Sequence, residues 1–198
     1  MERLGLYTPG MHSGEVFDLF RQCGALLEGH FVLSSGLHTS GYLQCARVLQ
    51  YPKHAAIVGA ALAQRLIDYK PAVVLSPALG GLIIGHEVAR ACGVRALFAE
   101  RKERELVLRR GFSVEPGERV LVVEDVITTG GSTRETMEVA QQAGGEVIAV
   151  AAIINRGGAD ISFGVPFRVL ADVSWPTHEP ADCPLCLQGI PVSKPGSR

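Results

Sequence analysis

Short apolar segments alternate along this chain with segments whose apolar residues recur at helical spacing. The first helical pattern predicts an amphipathic helix from about Ser13 to Leu27. Short strands are expected at Gly29 to Leu33 and at Tyr42 to Cys45, on either side of a turn-rich loop at residues 34–36. Pro52, at a first-turn position, predicts a second helix that runs to about Tyr69.

The pattern becomes regular after residue 71, where apolar, β-branched segments alternate with helices. Strands are expected at Ala72–Ser76, Arg95–Ala99, Arg119–Val123, Glu146–Ile154 and Arg168–Asp172. Helices are expected from Gly80-Gly81 to about Ala91 and from about Ser132 to Ala143, and the tail from Trp175 is Pro-rich and irregular. This alternation predicts an α/β fold with a central, mostly parallel sheet and helices on both faces. Ligands of such sheets bind beyond the carboxyl ends of the strands.

Composition and charge narrow the classes of protein. The chain has 198 residues, 47% apolar and 20% charged, as expected for one globular domain. Its net charge of −1 gives no overall attraction to nucleic acid or to an anionic membrane. The first residues lack a secretory pattern, and the longest uncharged stretch, Pro71 to Gly85, is too short to span a bilayer. Five cysteines, an odd number, indicate a reducing, cytoplasmic environment.

The most informative segment runs from Val120 to Ser132. Apolar residues lead to two adjacent acids, Glu124 and Asp125, and a loop of hydroxyls and glycines then enters a helix. Gly130 and Gly131 permit positive φ, and the backbone N–H groups at a helix start suit a phosphate. No lysine follows the glycines, so the loop differs from the P-loop of nucleotide hydrolases and fits a monophosphate better.

The two acids suggest a second ligand group. Glu124 and Asp125 can accept hydrogen bonds from the vicinal hydroxyls of a pentose, as acids do in dinucleotide-binding folds. For this role we expect both carboxylates to be open to solvent. The alternative is that the acids only interact favourably with the dipole of the following helix. The coincidence of a strand, an acid pair and a hydroxyl-rich loop favours the sugar-phosphate interpretation.

This segment matches, position for position, the phosphoribosyl pyrophosphate motif of the type I phosphoribosyltransferases, and the whole chain resembles the orotate phosphoribosyltransferase family. The resemblance implies the type I fold in a single domain, 1–198, with a core at about 51–172 and a hood formed by about 1–50 and the tail 173–198. It also implies that 5-phosphoribosyl 1-pyrophosphate (PRPP) binds Glu124, Asp125, Val126, Ile127, Thr128, Thr129, Gly130, Gly131 and Ser132, together with Leu79 and Gly80.

Segments outside the motif resemble the same family. Residues 31–38 with Tyr42 resemble the hood over the base, which places Ser35 at the substrate, and residues 76–81 resemble the loop that meets pyrophosphate. Arg156 matches the arginine that pairs with the carboxylate of orotate, and a planar guanidinium suits such a bidentate contact. Thr128 is implied as a further substrate contact.

Arg101-Lys102-Glu103 resembles the start of the mobile catalytic loop of the family, so Arg101 and Lys102 join Glu124 and Asp125 as implied catalytic residues. Each of these segments has a simpler alternative. Taken alone, Gly80-Gly81 is a helix start, the charges at 100–110 are a solvated hairpin face, and Arg156 is a surface residue.

Several cations of the family pattern are replaced in this chain. The lysine position before the Ser-Gly of the hood is Ser34, and a lysine position of the pyrophosphate loop is Gly80. The loop lysine and histidine fall on Glu105 and Val107. The candidate substitutes are Arg104, Arg109 and Arg110.

The resemblance implies transfer of ribose 5-phosphate from PRPP to orotate, giving orotidine 5-phosphate and pyrophosphate in pyrimidine biosynthesis. It further implies Mg²⁺ held through substrate oxygens rather than by the protein alone, and a homodimer in which the 101–110 loop reaches toward the neighbouring site. Two alternatives remain: a phosphoribosyltransferase for a purine or another pyrimidine, and a non-catalytic regulator that binds RNA or DNA. The near-neutral charge argues against the regulator.

Cysteines in the tail form a separate candidate site. Cys183 and Cys186, with His178, have a spacing compatible with zinc, and Cys45 or Asp182 can supply a fourth ligand. From the sequence pattern alone, a chance pair of cysteines in a packed tail is the favoured interpretation, with zinc or a redox role as the alternatives.

Overall fold

A computed structural model describes residues 10–33 and 35–195, which form a six-stranded sheet and a separate three-stranded sheet. The chain starts with helix α1 (Ser13–Gln22), followed by strands β1 (Leu26–Val32) and β2 (His38–Leu43). The helix expected to reach Leu27 therefore ends five residues earlier. Gly24, with φ of 60°, turns the chain after α1, so that Leu26 and Leu27 begin β1 instead.

The larger sheet contains the elements that the alternating pattern predicted. Its strands are β3 (Val73–Pro77), β4 (Arg95–Lys102), β5 (Glu105–Leu108), β6 (Arg119–Ile127), β7 (Glu146–Asn155) and β8 (Phe167–Asp172). Four more helices follow β2 along the chain: α2 (Ala46–Leu49), α3 (Pro52–Gln64), α4 (Gly80–Cys92) and α5 (Gly131–Gln142). A 3₁₀ turn at Ile67–Tyr69 follows α3. The spatial order is β5-β4-β3-β6-β7-β8, and all pairs are parallel except β4 with β5.

Successive residues of the central strand β6 pack against opposite faces of the sheet, because side chains of a strand alternate. Leu121 and Val123 belong to the hydrophobic core that includes residues of α1, α3 and α4. Val120 and Val122 belong to a second core, on the side of α5. The fold is therefore the predicted α/β arrangement, with helices covering a mostly parallel sheet on both faces.

The tail closes the smaller sheet, which we call the hood. Strand β9 (Thr177–His178) pairs with β2, and a 3₁₀ turn at Pro180–Asp182 and the short helix α6 (Pro184–Leu187) follow it. Ser193 then exchanges backbone hydrogen bonds with β1. The segment expected to be irregular thus contributes the third strand of the hood. Within the described ranges, none of the helices combines the length and apolarity that a bilayer span requires.

Candidate active site

Strand β6 carries the two acids to the carboxyl edge of the larger sheet. Glu124 and Asp125 are the sixth and seventh of its nine residues, between the parallel neighbours β3 and β7. The backbone N–H of Asp125 donates to Glu124 Oε1 (3.1 Å), and that of Val126 donates to Asp125 Oδ1 (2.8 Å). Ser132, at the start of α5, donates its hydroxyl to Glu124 Oε2 (3.1 Å). The acid pair and the hydroxyl-rich loop are therefore in direct contact.

The loop after β3 lies directly against the acid pair. A Cβ atom added to Gly80 would be 2.8 Å from Asp125 Oδ1, and one added to Gly81 would be 2.9 Å from the Val123 carbonyl oxygen and 3.1 Å from Glu124 Oε1. The Ala78–Leu79 peptide bond in this loop is cis. Two segments that are more than 40 residues apart in the sequence thus meet at one edge of the sheet, as the resemblance implies. A side chain at position 81 would overlap the backbone of β6, and one at position 80 would displace the Asp125 carboxylate, so both glycines let this loop lie against the acid pair.

The two acids differ in their exposure. Glu124 is buried, with only 5% of its surface exposed, whereas Asp125 is partly exposed. The expectation that both carboxylates are open to solvent therefore holds for Asp125 and is wrong for Glu124. Glu124 is enclosed because Gly81 of α4 and Ser132 of α5 both contact its carboxyl group.

Burial also changes the ionisation of the pair. Burial, followed by repulsion from Asp125, raises the pKa of Glu124 to about 8. Burial likewise raises the pKa of Asp125 above its usual value. Neither acid forms an ion pair with a lysine, arginine or histidine from the described part of the chain. The pair is thus a concentration of carboxyl oxygens without a positive partner among the residues that the structure describes.

The loop from Thr128 to Ser132 forms an exposed turn with a fixed shape. Gly130 has φ of 76° and caps α5, while Thr128, Thr129, Gly131 and Ser132 are exposed. Arg134 holds this turn from behind, since its guanidinium donates to the carbonyl oxygens of Thr129 (2.7 Å) and Ser162 (3.0 Å). The free N–H groups at the start of α5 and the hydroxyls around them form a cradle suited to a phosphate dianion.

Arg156 follows strand β7 and is half-buried. Its backbone N–H donates to the Ile127 carbonyl oxygen (2.7 Å), which attaches it to the end of β6. Its guanidinium lies 5.6 Å from the centre of the Trp175 ring, and burial lowers its pKa while Tyr42 opposes that change. No carboxylate of residues 10–33 or 35–195 forms an ion pair with it. Arg156 is therefore a partly desolvated cation near the site, without an anionic partner.

The hood residues near Arg156 were only partly foreseen. The spacing of apolar residues does not predict a role for Trp175 in the hood. The Trp175 ring packs so closely on Gly41 of β2 that a Cβ atom added to Gly41 would overlap the ring. Ser35 lies in an exposed turn between β1 and β2, where its Oγ accepts a hydrogen bond from the Leu37 N–H (3.4 Å). Ser34 lies outside the described residues.

The charged segment 101–110 forms a hairpin. Strand β4 continues past the predicted end at Ala99 to Lys102, and β5 pairs with it in antiparallel register, with Arg101 opposite Leu106 and Lys102 opposite Glu105. The hairpin is attached to the core because Leu106 is buried. The predicted strand is too short because residues 100–102 are all charged and so do not continue the apolar pattern from which the strand was predicted.

The cations of this hairpin differ in their partners. Arg101 pairs with Glu135 of α5 (2.6 Å) and donates to the Arg104 carbonyl oxygen, and Arg110 pairs with Glu100 (2.7 Å). Lys102, Arg104 and Arg109 have exposed side chains and form no ion pair within the described residues. These three residues are consequently the cations of the hairpin that can meet an anionic ligand without first losing a partner.

Comparison with known proteins gives one consistent result. The family profile of the phosphoribosyl transferase domain matches residues 45–162. The orotate phosphoribosyltransferase of Caldanaerobacter subterraneus subsp. tengcongensis is 50% identical over 95% of this chain and 99% of the relative. That of Carboxydothermus hydrogenoformans is 52% identical over 93% of this chain and 97% of the relative. A crystal structure of the Mycobacterium tuberculosis orotate phosphoribosyltransferase has a TM-score of 0.68 at 25% identity, covering 81% of this chain and 96% of that one.

Proposed function

Since this chain belongs to the orotate phosphoribosyltransferase family, we propose that it transfers ribose 5-phosphate from PRPP to orotate through the site at the carboxyl edge of the larger sheet. The observation that carries the assignment of this site is the contact of the acid pair with both glycine-rich loops. One loop comes from the end of β3 and the other from the end of β6, and both open helices. Two anion-binding helix starts on either side of two acids fit a sugar that carries phosphate groups at both ends.

The order of groups in PRPP assigns a part to each segment. The 5-phosphate binds the turn from Thr128 to Ser132, where exposed N–H and hydroxyl groups point outward. The ribose hydroxyls donate to Asp125, the more exposed of the two acids. Glu124 holds Asp125 in place by accepting a hydrogen bond from its backbone N–H. The pyrophosphate faces Leu79 and Gly80, at the start of α4, where the first backbone N–H groups of the helix have no partner within the helix.

Arg156 and the hood select the base. A half-buried guanidinium without an anionic partner suits a ligand carboxylate, because desolvation strengthens a bidentate ion pair. Orotate carries such a carboxylate, whereas uracil, hypoxanthine and adenine do not. The comparison relatives at 50–52% identity carry the orotate name, which favours orotate over the purine alternative.

In the reaction, a ring nitrogen of orotate loses its proton to water or to a pyrophosphate oxygen and forms a bond to the anomeric carbon. The bond from that carbon to pyrophosphate breaks, and pyrophosphate leaves with the bonding electrons. Positive charge builds on the ribose, and the carboxylate of Asp125 stabilises it from a fixed position. Glu124, whose raised pKa of about 8 favours its neutral form near pH 7, holds Asp125 in place by accepting the hydrogen bond from its backbone N–H. Mg²⁺ that enters with PRPP, rather than being held by the protein alone, would supply positive charge to the leaving group. Among the described residues no cation forms an ion pair with Glu124 or Asp125, which fits a metal that arrives with the substrate.

The hairpin 101–110 supplies the remaining positive charge. The Arg101–Glu135 pair is exposed, with 44% and 42% of the two side-chain surfaces accessible, and such pairs contribute only about 0.2–1 kcal/mol. Arg101 can therefore exchange Glu135 for pyrophosphate oxygens at little cost. We propose that the hairpin closes over the site in this way within a homodimer, and that the enzyme acts in the cytoplasm, where its free cysteines stay reduced.

Pyrophosphate release with PRPP, Mg²⁺ and a series of bases tests the proposal directly. We expect release with orotate and none above background with uracil, hypoxanthine or adenine. Release with a purine but not with orotate would contradict the base assignment, and no release with any base would support a non-catalytic regulator.

Arg156→Ala is expected to raise the KM for orotate by about 30-fold and to leave the KM for PRPP within about twofold, because a lost charged hydrogen-bonded contact costs roughly 2 kcal/mol. Steady-state kinetics with each substrate varied in turn measures both constants. Arg134→Ala is the matched control, since it removes an arginine that holds the phosphate turn and should affect PRPP first. Equal losses for both substrates in Arg156→Ala would contradict its assigned contact.

Lys102→Ala is expected to lower kcat on the order of tenfold, because a cation placed on the leaving group acts mainly in the transition state. Glu135→Gln is the control, since it opens the Arg101 ion pair without removing a cation and should leave kcat unchanged or slightly raised. Rapid-quench measurement of the chemical step separates this effect from product release. A normal chemical step in Lys102→Ala would remove Lys102 from the proposed mechanism.

A further inference from the structure

Two histidines of the hood hairpin and two cysteines of the tail converge on one point. His30 lies in β1, and His38 is the first residue of β2. Cys183 immediately precedes helix α6, and Cys186 lies within it. The four side chains each offer one ligand atom, and these atoms all lie within 4.8 Å of one another. The cysteines are more than 140 residues away from the histidines along the chain, so only the folded hood brings the four together.

The distances between the ligand atoms are those of a small coordination shell. His30 Nε2 lies 2.8 Å from His38 Nδ1, 3.5 Å from Cys183 Sγ and 3.7 Å from Cys186 Sγ, and His38 Nδ1 lies 3.3 Å from Cys186 Sγ. A tetrahedral zinc ion with usual bond lengths has ligand separations of roughly 3.3 Å between nitrogens and 3.6 Å between nitrogen and sulfur. The nitrogen–sulfur distances match this shell, and the two nitrogens need to separate by only about half an ångström.

The second ring nitrogen of His30, Nδ1, forms a hydrogen bond of the kind that metal-bound histidines usually form. His30 Nδ1 lies 2.7 Å from the Ile190 carbonyl oxygen, to which only a protonated nitrogen can donate. That hydrogen bond leaves Nε2 unprotonated and directed at the other three ligand atoms. A metal-bound histidine almost always has such a second partner, which fixes its tautomer and ring orientation.

Burial distinguishes this cluster from a chance group of polar residues. Cys183 is fully buried, His30 and His38 are 3% and 8% exposed, and only Cys186 reaches the surface. Four protein ligands fill a tetrahedral shell and leave no open position, which is the pattern of a structural rather than a catalytic site. A set of two thiolates and two imidazoles selects zinc over magnesium or calcium.

We propose that His30, His38, Cys183 and Cys186 bind one structural Zn²⁺ ion, which attaches helix α6 of the tail to strands β1 and β2 of the hood. The site uses both cysteines considered in the sequence but not His178, which lies opposite His38 in β9 and stays outside the cluster. Cys45 and Asp182, the candidate fourth ligands, are likewise outside it. The ion links β1 and β2 to α6, and the segment between β8 and β9, shortly before α6, carries Trp175, the residue beside Arg156.

Metal content of the wild-type protein is the first test. The protein is expressed in zinc-supplemented medium and purified with a reductant and without chelators or an affinity metal, and elemental analysis is expected to find about one zinc per chain. Exchange of zinc for Co²⁺ is expected to give the intense visible bands of a tetrahedral site and the near-ultraviolet charge-transfer absorption of thiolate ligands. Neither measurement involves substrates, so its outcome is separate from that of the transfer reaction.

Matched variants locate the ion. Cys186→Ser, at the exposed ligand, and His38→Gln are expected to lose the zinc and to unfold at a lower temperature than wild type. Cys92→Ser and His178→Gln are expected to keep both the zinc and the unfolding temperature, because neither side chain belongs to the cluster. Chelator treatment of wild type should lower its unfolding temperature and leave that of Cys186→Ser unchanged.

Three results would overturn the site. The first is reduced wild-type protein that contains no zinc and takes up no Co²⁺. The second is zinc that persists at one per chain in both Cys186→Ser and His38→Gln, which would place the ion elsewhere. The third is a Cys183–Cys186 disulfide in protein isolated under the same reducing conditions, which would favour a redox pair.

Discussion

Asp125→Asn is expected to lower kcat on the order of 10³-fold while the protein stays folded. The change keeps the shape of the side chain but removes the negative charge that faces the ribose as positive charge builds there. Asp125 is partly exposed and forms no ion pair in the described residues, so its neutralisation leaves no buried cation unpaired. Pyrophosphate release measures turnover, and circular dichroism with thermal unfolding confirms the fold.

Asp172→Asn provides the control for Asp125→Asn. Asp172 ends the edge strand β8 and accepts a hydrogen bond from the Asn155 amide, outside the proposed PRPP contacts. It should retain turnover within about threefold, as expected for a residue that does not contact the reacting atoms. Wild-type turnover in Asp125→Asn would contradict the assignment of the acid pair to the ribose.

Glu124→Gln is expected to stabilise the substrate-free protein at alkaline pH and to impair catalysis. The pKa of Glu124 is raised to about 8 in the folded state, mainly by burial, whereas the unfolded chain ionises near the ordinary value of 4.5. Between these values the folded state binds more protons than the unfolded state, so wild type loses stability as pH rises from about 4.5 to about 8. Glutamine never ionises and escapes this loss, which we expect to reach on the order of 3 kcal/mol above pH 8.

Urea unfolding of both proteins at pH 5.5 and pH 8.5 measures the difference. The variant should be close to wild type at the lower pH and clearly more stable at the higher. Glu118→Gln is a control of opposite sign: burial alone would raise the pKa of Glu118, but the hydrogen bonds from Arg95 and from the Glu115 N–H lower it. That variant should be less stable than wild type at neutral pH. A stability gain for Glu124→Gln that is the same at both pH values would show that ionisation of Glu124 does not cause it.

Much of the fold and the position of the site follow from local sequence pattern. The apolar runs around Val74, Val122 and Val150 predict parallel strands, and the structure contains them in one sheet. The family, the fold and the transfer reaction implied by the segment from Val120 to Ser132 are confirmed by the relatives and by the structural match. These features are predictable because strand, acids and loop are contiguous in the chain.

Features that depend on distant contacts could not be predicted. The burial of Glu124 arises from Gly81, whose helix covers it from a different part of the chain. The alternating Leu106 and Leu108 reveal a strand only once β4 pairs with them. The sequence grouped the two cysteines with His178, which is near them in the chain, whereas the structure groups them with His30 and His38, which are near them in space. The individual contacts assigned to PRPP, orotate and Mg²⁺ stay predictions until the experiments above are done.

The close approach of Gly80 to Asp125 also limits how this enzyme can diversify. A side chain at position 80 would place its Cβ 2.8 Å from Asp125 Oδ1, so the Asp125 carboxylate would have to shift to admit it. A substitution at position 80 would therefore also move the acid that is proposed to face the ribose. Directed evolution toward faster turnover should therefore draw its beneficial substitutions from the hairpin and the hood, whose exposed residues can change one at a time.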